Sequence, residues 1–120
     1  MRRDVRVYVA DILDEMDRIE RFISGKDLEA LRSDDMAAYA VIRAFEVMGE
    51  AAKQVPDAVR ARCPDVMWRE MAGMRDRLAH AYWGIDLAFA WAAVHERFPI
   101  ERPALRRLLN ELDTEETNDA

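Results

Sequence analysis

From Asp4 to Ser24 the apolar residues Val5, Tyr8, Ile12, Met16, Ile19 and Ile23 recur at spacings of three and four, and Val9, Leu13 and Phe22 widen the stripe. That period puts them on one face of a helix, and Gly25 is placed to close it. Asp27 to Arg32 reads as a short helical turn presenting Leu28 and Leu31. Ser33, Asp34 and Asp35 then offer N-cap oxygens for a second long helix, in which Val41, Phe45, Met48, Ala52 and Val55 alternate at four and three. Pro56, which has no N–H to give, stops it.

A short helix over Asp57 to Arg62 ends before Pro64, and Asp65 is placed to cap a third long helix with the stripe Met67, Met71, Met74 and Leu78. This helix is expected to run to about Trp83. Gly84 suits a left-handed closing position, and Asp86 suits the cap of a fourth helix carrying Leu87, Ala90, Trp91, Val94 and Phe98. Pro99 and Pro103 are expected to separate it from a last, shorter helix with Leu105, Leu108, Leu109 and Leu112. Short connections between long amphipathic helices favour antiparallel neighbours, so the expected fold is all-α, an up-and-down bundle of four to five helices. Residues 1–112 form a single domain on this reading, and 113–120 a disordered acidic tail.

Composition narrows the choice further. The chain is 51% hydrophobic and 35% charged, too apolar for intrinsic disorder and too densely charged for a membrane protein. Four glycines and four prolines give too few turns for a sandwich of many short strands. Cys63 is the single cysteine, so no intramolecular disulfide forms and no zinc-site spacing surrounds it. The N-terminus lacks the apolar run of a signal peptide, and a cytoplasmic location with no membrane partner is the expectation. Trp83, Trp91, Tyr82 and seven methionines offer more large apolar surface than one small bundle readily hides, which suggests a homodimer.

The net charge of −6 is unevenly spread, since Glu111, Asp113, Glu115, Glu116 and Asp119 crowd the last ten positions and leave residues 1–110 near neutrality. Sixteen of the 18 basic residues are arginines, suited to bidentate contacts with phosphate or carboxylate. Neither histidine, His80 or His95, has a glutamate three residues before it as a bundle di-metal site requires, so no metal and no cofactor are expected.

Functional side chains concentrate in Gly73-Met74-Arg75-Asp76-Arg77-Leu78-Ala79-His80-Ala81-Tyr82-Trp83-Gly84. On an ideal helix Arg75 and Tyr82 share nearly one face, whereas His80 falls about 140° round from Arg75, nearer Asp76 and Arg77. One reading is purely structural: His80 sits against the C-terminal dipole, while Arg75 and Arg77 pair with Glu70, Asp76 or a neighbouring helix. Glu46 and Glu50 read as a solvated ion-pair stripe with Arg43 and Lys53, His95 as a surface or boundary residue, and Trp68, Trp83 and Trp91 as core or interface.

The pattern Arg75-x-x-x-x-His80-x-Tyr82, its extension through Gly84-Ile85-Asp86, and the upstream Arg43-Ala44-Phe45-Glu46-Val47-Met48-Gly49-Glu50-Ala51-Ala52 together resemble the HepT toxin family of the HEPN superfamily. Met67 stands where that family has proline, and the acidic tail is outside its pattern. The resemblance implies a homodimeric, metal-independent endoribonuclease toxin with two Arg and His motifs facing one cleft. RNA cleavage without a metal uses the ribose 2′-hydroxyl as nucleophile. A histidine with a pKa of about 6.5 can move a proton in either direction near neutrality, and Arg75 would supply a permanent cation for the phosphoryl oxygens. Asp76 either orients His80 or neutralises Arg77, and both are supporting candidates.

The family likeness also implies that a minimal nucleotidyltransferase antitoxin transfers AMP onto Tyr82, setting a bulky anion beside a cationic cleft. The alternative from another class is a non-catalytic helical interaction module that binds a nucleotidyltransferase partner or a nucleotide.

Overall fold

A computed structural model of the chain describes residues 4–79 and 83–119. All of its regular structure is helical: α1 (Val5–Ile23), α2 (Leu28–Ser33), α3 (Asp35–Gln54), α4 (Asp57–Arg60), α5 (Trp68–Ala79), α6 (Trp83–Ala92) and α7 (Phe98–Asp119). A π-helical turn, Ala93–Arg97, joins α6 to α7. No described helix is long and apolar enough to cross a membrane.

Aspartates start the first three helices by accepting backbone N–H groups that have no partner within the helix. Asp4 accepts from Arg6 at 2.9 Å, Asp27 from Ala30 at 2.8 Å and Asp34 from Ala37 at 3.0 Å. Of the three candidate caps before α3, Asp34 therefore serves. Gly25, with φ of 75°, takes the left-handed conformation that turns the chain after α1. At the far end of α3 the Arg60 guanidinium donates to the carbonyls of Ala52 at 2.7 Å and Val55 at 2.9 Å, satisfying acceptors that the helix end leaves open.

The core forms where α1 lies along α3. Val9, Ile12, Met16 and Ile19 from α1 are fully buried, together with Val41, Phe45, Met48 and Ala52 from α3. Helix α5 packs on the other side of α3, α6 packs on α2, and α7 returns along α1 with Ala104, Leu105 and Leu108 buried. Phe98 meets Phe45 in a tilted ring pair with centroids 6.0 Å apart, tying the start of α7 to α3.

Four sequence expectations are corrected here. Helix α5 starts at Trp68, three residues past Asp65, so Asp65 is not its cap; the Met67 N–H is taken instead by the Glu101 carboxylate of α7 at 2.9 Å. Gly84 does not close a helix and Asp86 does not cap one, since both fall in the first turn of α6, where an acidic side chain is favoured by the helix dipole. Pro99 and Pro103 do not separate two helices. Pro99 is the second residue of α7, where a missing N–H costs little, and the widened turn before it already runs a bond from the Phe98 N–H to the Ala93 carbonyl.

Pro103 lies inside α7, which stays continuous because its apolar face is buried and Arg102 reaches Glu20 and Asp17 of α1 at 2.8 and 3.2 Å. Finally, where fraying is expected after Leu112, α7 runs on to Asp119. Its acidic side chains meet cations from elsewhere: Arg62 contacts Glu115 at 3.0 Å and Glu111 at 3.4 Å, and Arg6 contacts Asp113 at 3.5 Å.

Candidate active site

The arginine that opens the motif owes its position to a glycine on another helix. A Cβ built at Gly49 would stand 3.0 Å from the Met71 carbonyl oxygen, 3.3 Å from that of Ala72 and 3.5 Å from the Arg75 Cβ. Only a residue without a side chain lets the α5 backbone lie this close to α3, which accounts for a glycine in a helix interior where it otherwise costs about 1 kcal/mol. The next residue, Glu50, then meets Arg75: its Oε1 lies 3.0 Å from the Arg75 Nε and 3.7 Å from the Lys53 Nζ. Arg75 Nη1 stands 3.8 Å from Asp76. About half of the Arg75 side chain (48%) stays exposed, with its guanidinium near the Glu50 and Asp76 carboxylates. A pair this exposed adds at most about 1 kcal/mol of stability, and its consequence is orientation.

Arg77 is held quite differently. Its Nε donates to Asp86 Oδ1 at 3.1 Å, and its guanidinium carbon lies 3.7 Å from the centroid of the Phe89 ring. The Asp86 side chain is only 12% exposed. Asp76, by contrast, is largely exposed and stands by Arg75; the described neutralising partner of Arg77 is Asp86. His80 and Tyr82 lie outside the described residues, as does the Trp83 side chain.

The ion-pair stripe on α3 is present, with Arg43 on Glu46 at 3.4 Å and Lys53 on Glu50 at 3.7 Å, but Glu50 has the further task of holding Arg75. His95 is exposed, its Nδ1 2.9 Å from the Trp91 carbonyl and its ring stacked on Trp91 at 4.6 Å. Trp68 is buried and donates its Nε1–H to the Cys63 carbonyl at 3.1 Å. Cys63 is itself buried, which pushes its thiol pKa up and keeps it protonated. Among the described residues no group of three or more His, Cys, Asp or Glu side chains is arranged to hold a metal ion.

Between α5 and α6 runs an apolar groove of about 230 Å³, walled by Met71, Met74 and Phe89 and floored by Phe45, Met48 and Phe98. Met67 and Phe89 are partly exposed at its edge.

The sequence matches the family described as Ribonuclease HepT-like over residues 12–112. The chain belongs to the HepT-like ribonuclease family. Among its relatives, "Probable ribonuclease HepT" of Thermococcus cleftensis is 40% identical over 99 residues, covering 82% of this chain and 90% of that one. "Putative RNase MJ0125" of Methanocaldococcus jannaschii is 35% identical over 112 residues, covering 93% of this chain and 97% of the relative. No solved structure matches the chain significantly. The HepT-like match includes both helices that meet at Gly49 and both that meet at Asp86, so the Glu50–Arg75 and Arg77–Asp86 pairs lie within it.

Proposed function

We propose that this HepT-like chain is a metal-independent endoribonuclease, the toxin of a toxin–antitoxin pair, acting in the cytoplasm as a homodimer whose two motifs share one cleft. The observation that carries the reading is the half-exposed Arg75 guanidinium, paired at Nε with Glu50, on the helix that ends one residue before His80. A cation fixed in this way suits the phosphoryl oxygens of an RNA backbone, because its planar edge can donate two parallel hydrogen bonds.

In the proposed reaction the ribose 2′-hydroxyl attacks the adjacent phosphorus and gives its proton to one His80 imidazole. The 5′-oxygen leaves with a proton from the other His80, yielding a 2′,3′-cyclic phosphate. Arg75 stabilises the charge that builds on the phosphoryl oxygens between the two transfers. Asp76, beside Arg75, supports it by position. AMP transfer to Tyr82 by a nucleotidyltransferase antitoxin would place an anion two residues from His80 and silence the site.

The test is cleavage of total cellular RNA by mass-verified unmodified protein in excess chelator, beside identically prepared His80→Ala. Cleavage by the parent that is lost in the variant supports the reading; equal cleavage by both, or by neither, overturns it. The apolar groove between α5 and α6 favours a second reading, a non-catalytic module that docks a nucleotidyltransferase. Binding of RNA through Arg75 weakens steeply with salt, whereas apolar docking does not.

A further inference from the structure

Helices α5 and α6 are seated on different neighbours, α5 on α3 and α6 on α2, and the groove of about 230 Å³ lies between them. Apolar packing therefore leaves their relative placement weakly determined, because the walls of a gap lack partner atoms on one side. The chain nevertheless passes from Ala79 at the end of α5 to Trp83 at the start of α6 through residues 80–82 alone. Wherever the two helix ends stand, they set the reach of this span, which contains His80 and Tyr82.

One side chain of α5 ties it to α6 with a polar and an aromatic contact together. Arg77, two residues before the end of α5, donates to Asp86 in the first turn of α6 at 3.1 Å and stacks over Phe89 one turn further on at 3.7 Å. Asp86 is nearly buried while Arg77 is half exposed, so removing Arg77 would leave a largely buried carboxylate without its described partner. The guanidinium that serves both partners has its Nε committed and one face covered. We propose that Arg77, Asp86 and Phe89 form a clasp that fixes α5 against α6 and thereby positions the span carrying His80, with Arg77 a positioning residue and not a phosphate contact. The catalytic consequence rests on the ribonuclease reading; the clasp itself does not.

The experiment compares full-length unmodified parent, Arg77→Ala, Asp86→Asn and the double variant by steady-state RNA cleavage and by NMR of the histidine rings. There are only two histidines, so His95→Gln assigns the His80 signal. A misplaced catalytic group can cost on the order of 10²-fold, so Arg77→Ala is expected to lower kcat by about tenfold or more with KM within about twofold. Asp86→Asn should do the same and the double variant should be no worse than either single one, as for residues acting as one unit. Arg77→Lys, keeping the charge, should recover part of kcat.

The His80 ring resonance should shift or broaden in both single variants, and the salt dependence of RNA binding should stay that of the parent. An unchanged His80 resonance with unchanged kcat overturns the clasp. So does a rise in KM at constant kcat with a shallower salt slope, which would make Arg77 an RNA contact. If the parent leaves RNA intact while the His80 resonance responds to both variants, the clasp stands and the ribonuclease reading falls.

Discussion

The α1–α3 pairing and the α5–α6 pairing solve the same problem in opposite ways. Along α1 and α3 the contact is a continuous apolar seam with Ile12, Met16, Ile19, Val41 and Met48 shut off from water. Beside α5 and α6 an apolar groove remains, and outside it Arg77 ties α5 to Asp86 and Phe89 of α6. A seam of close-packed side chains has one arrangement and resists change. A charged tie between α5 and α6 acts through a few directional contacts, on the side of α5 away from its close approach to α3 at Gly49. Stability and chemistry should therefore be separable by mutation.

The sharpest separation is expected at Arg75. Arg75→Ala should reduce kcat for RNA cleavage by roughly 10²- to 10³-fold, the usual cost of a lost preorganised donor, while the urea midpoint moves little because the side chain is half exposed. An equal loss in both would break the comparison. The opposite behaviour is expected in the seam: Ile12 is fully buried, and Ile12→Ala should lower unfolding free energy by about 2–5 kcal/mol. Its folded fraction should cleave RNA at the parental rate once corrected for unfolded protein.

Gly49 joins the two regimes. Gly49→Val drives a side chain against the Met71 and Ala72 carbonyls, so chemical denaturation should report a loss of about 1–3 kcal/mol, and cleavage should fall as well because α5 carries Arg75 away from Glu50. A loss of stability without a loss of cleavage would show that the close approach does not set Arg75.

The smallest effect is expected at Glu101, whose burial raises its carboxyl pKa against the opposing Met67 N–H and Arg97. A folded pKa above the unfolded one means that Glu101 contributes stability below its unfolded value and loses it as pH rises through the folded value. Glu101→Gln, which keeps an acceptor for Met67, should flatten this part of the stability profile, read as urea midpoints between acid and neutral pH. An unchanged profile would assign the slope to other groups.

Helices α1 and α3 were legible because each buries one stripe at a single period, and Asp34 stood among the three candidate caps before α3 because capping is local. Pro99 misled because the turn before it is π-helical, and Pro103 because the burial of α7's apolar face and the Arg102 ion pairs to α1 hold the helix together through it. The candidate site was half legible. Arg75, His80 and Tyr82 stood out through the family resemblance of their motif and not through helical spacing, whereas Glu50 read as part of a solvated ion-pair stripe, and its contact with Arg75 lies across two helices. Asp86 and Phe89 gave no periodic signal toward Arg77, since they meet it from another helix and not along its own.

The π-helical turn at Ala93–Arg97 also acts as a phase shifter. One added residue rotates everything downstream by about 100° relative to an uninterrupted α-helix. Upstream of it the rod turns Leu87 and Ala90 into the bundle beside α2; downstream it turns Leu105 and Leu108 toward α1. A single apolar stripe of constant period could not serve both partners. Removing one residue from this turn would leave every side chain of α7 intact yet swing its apolar face off α1, so the register of the final helix is encoded by a residue count.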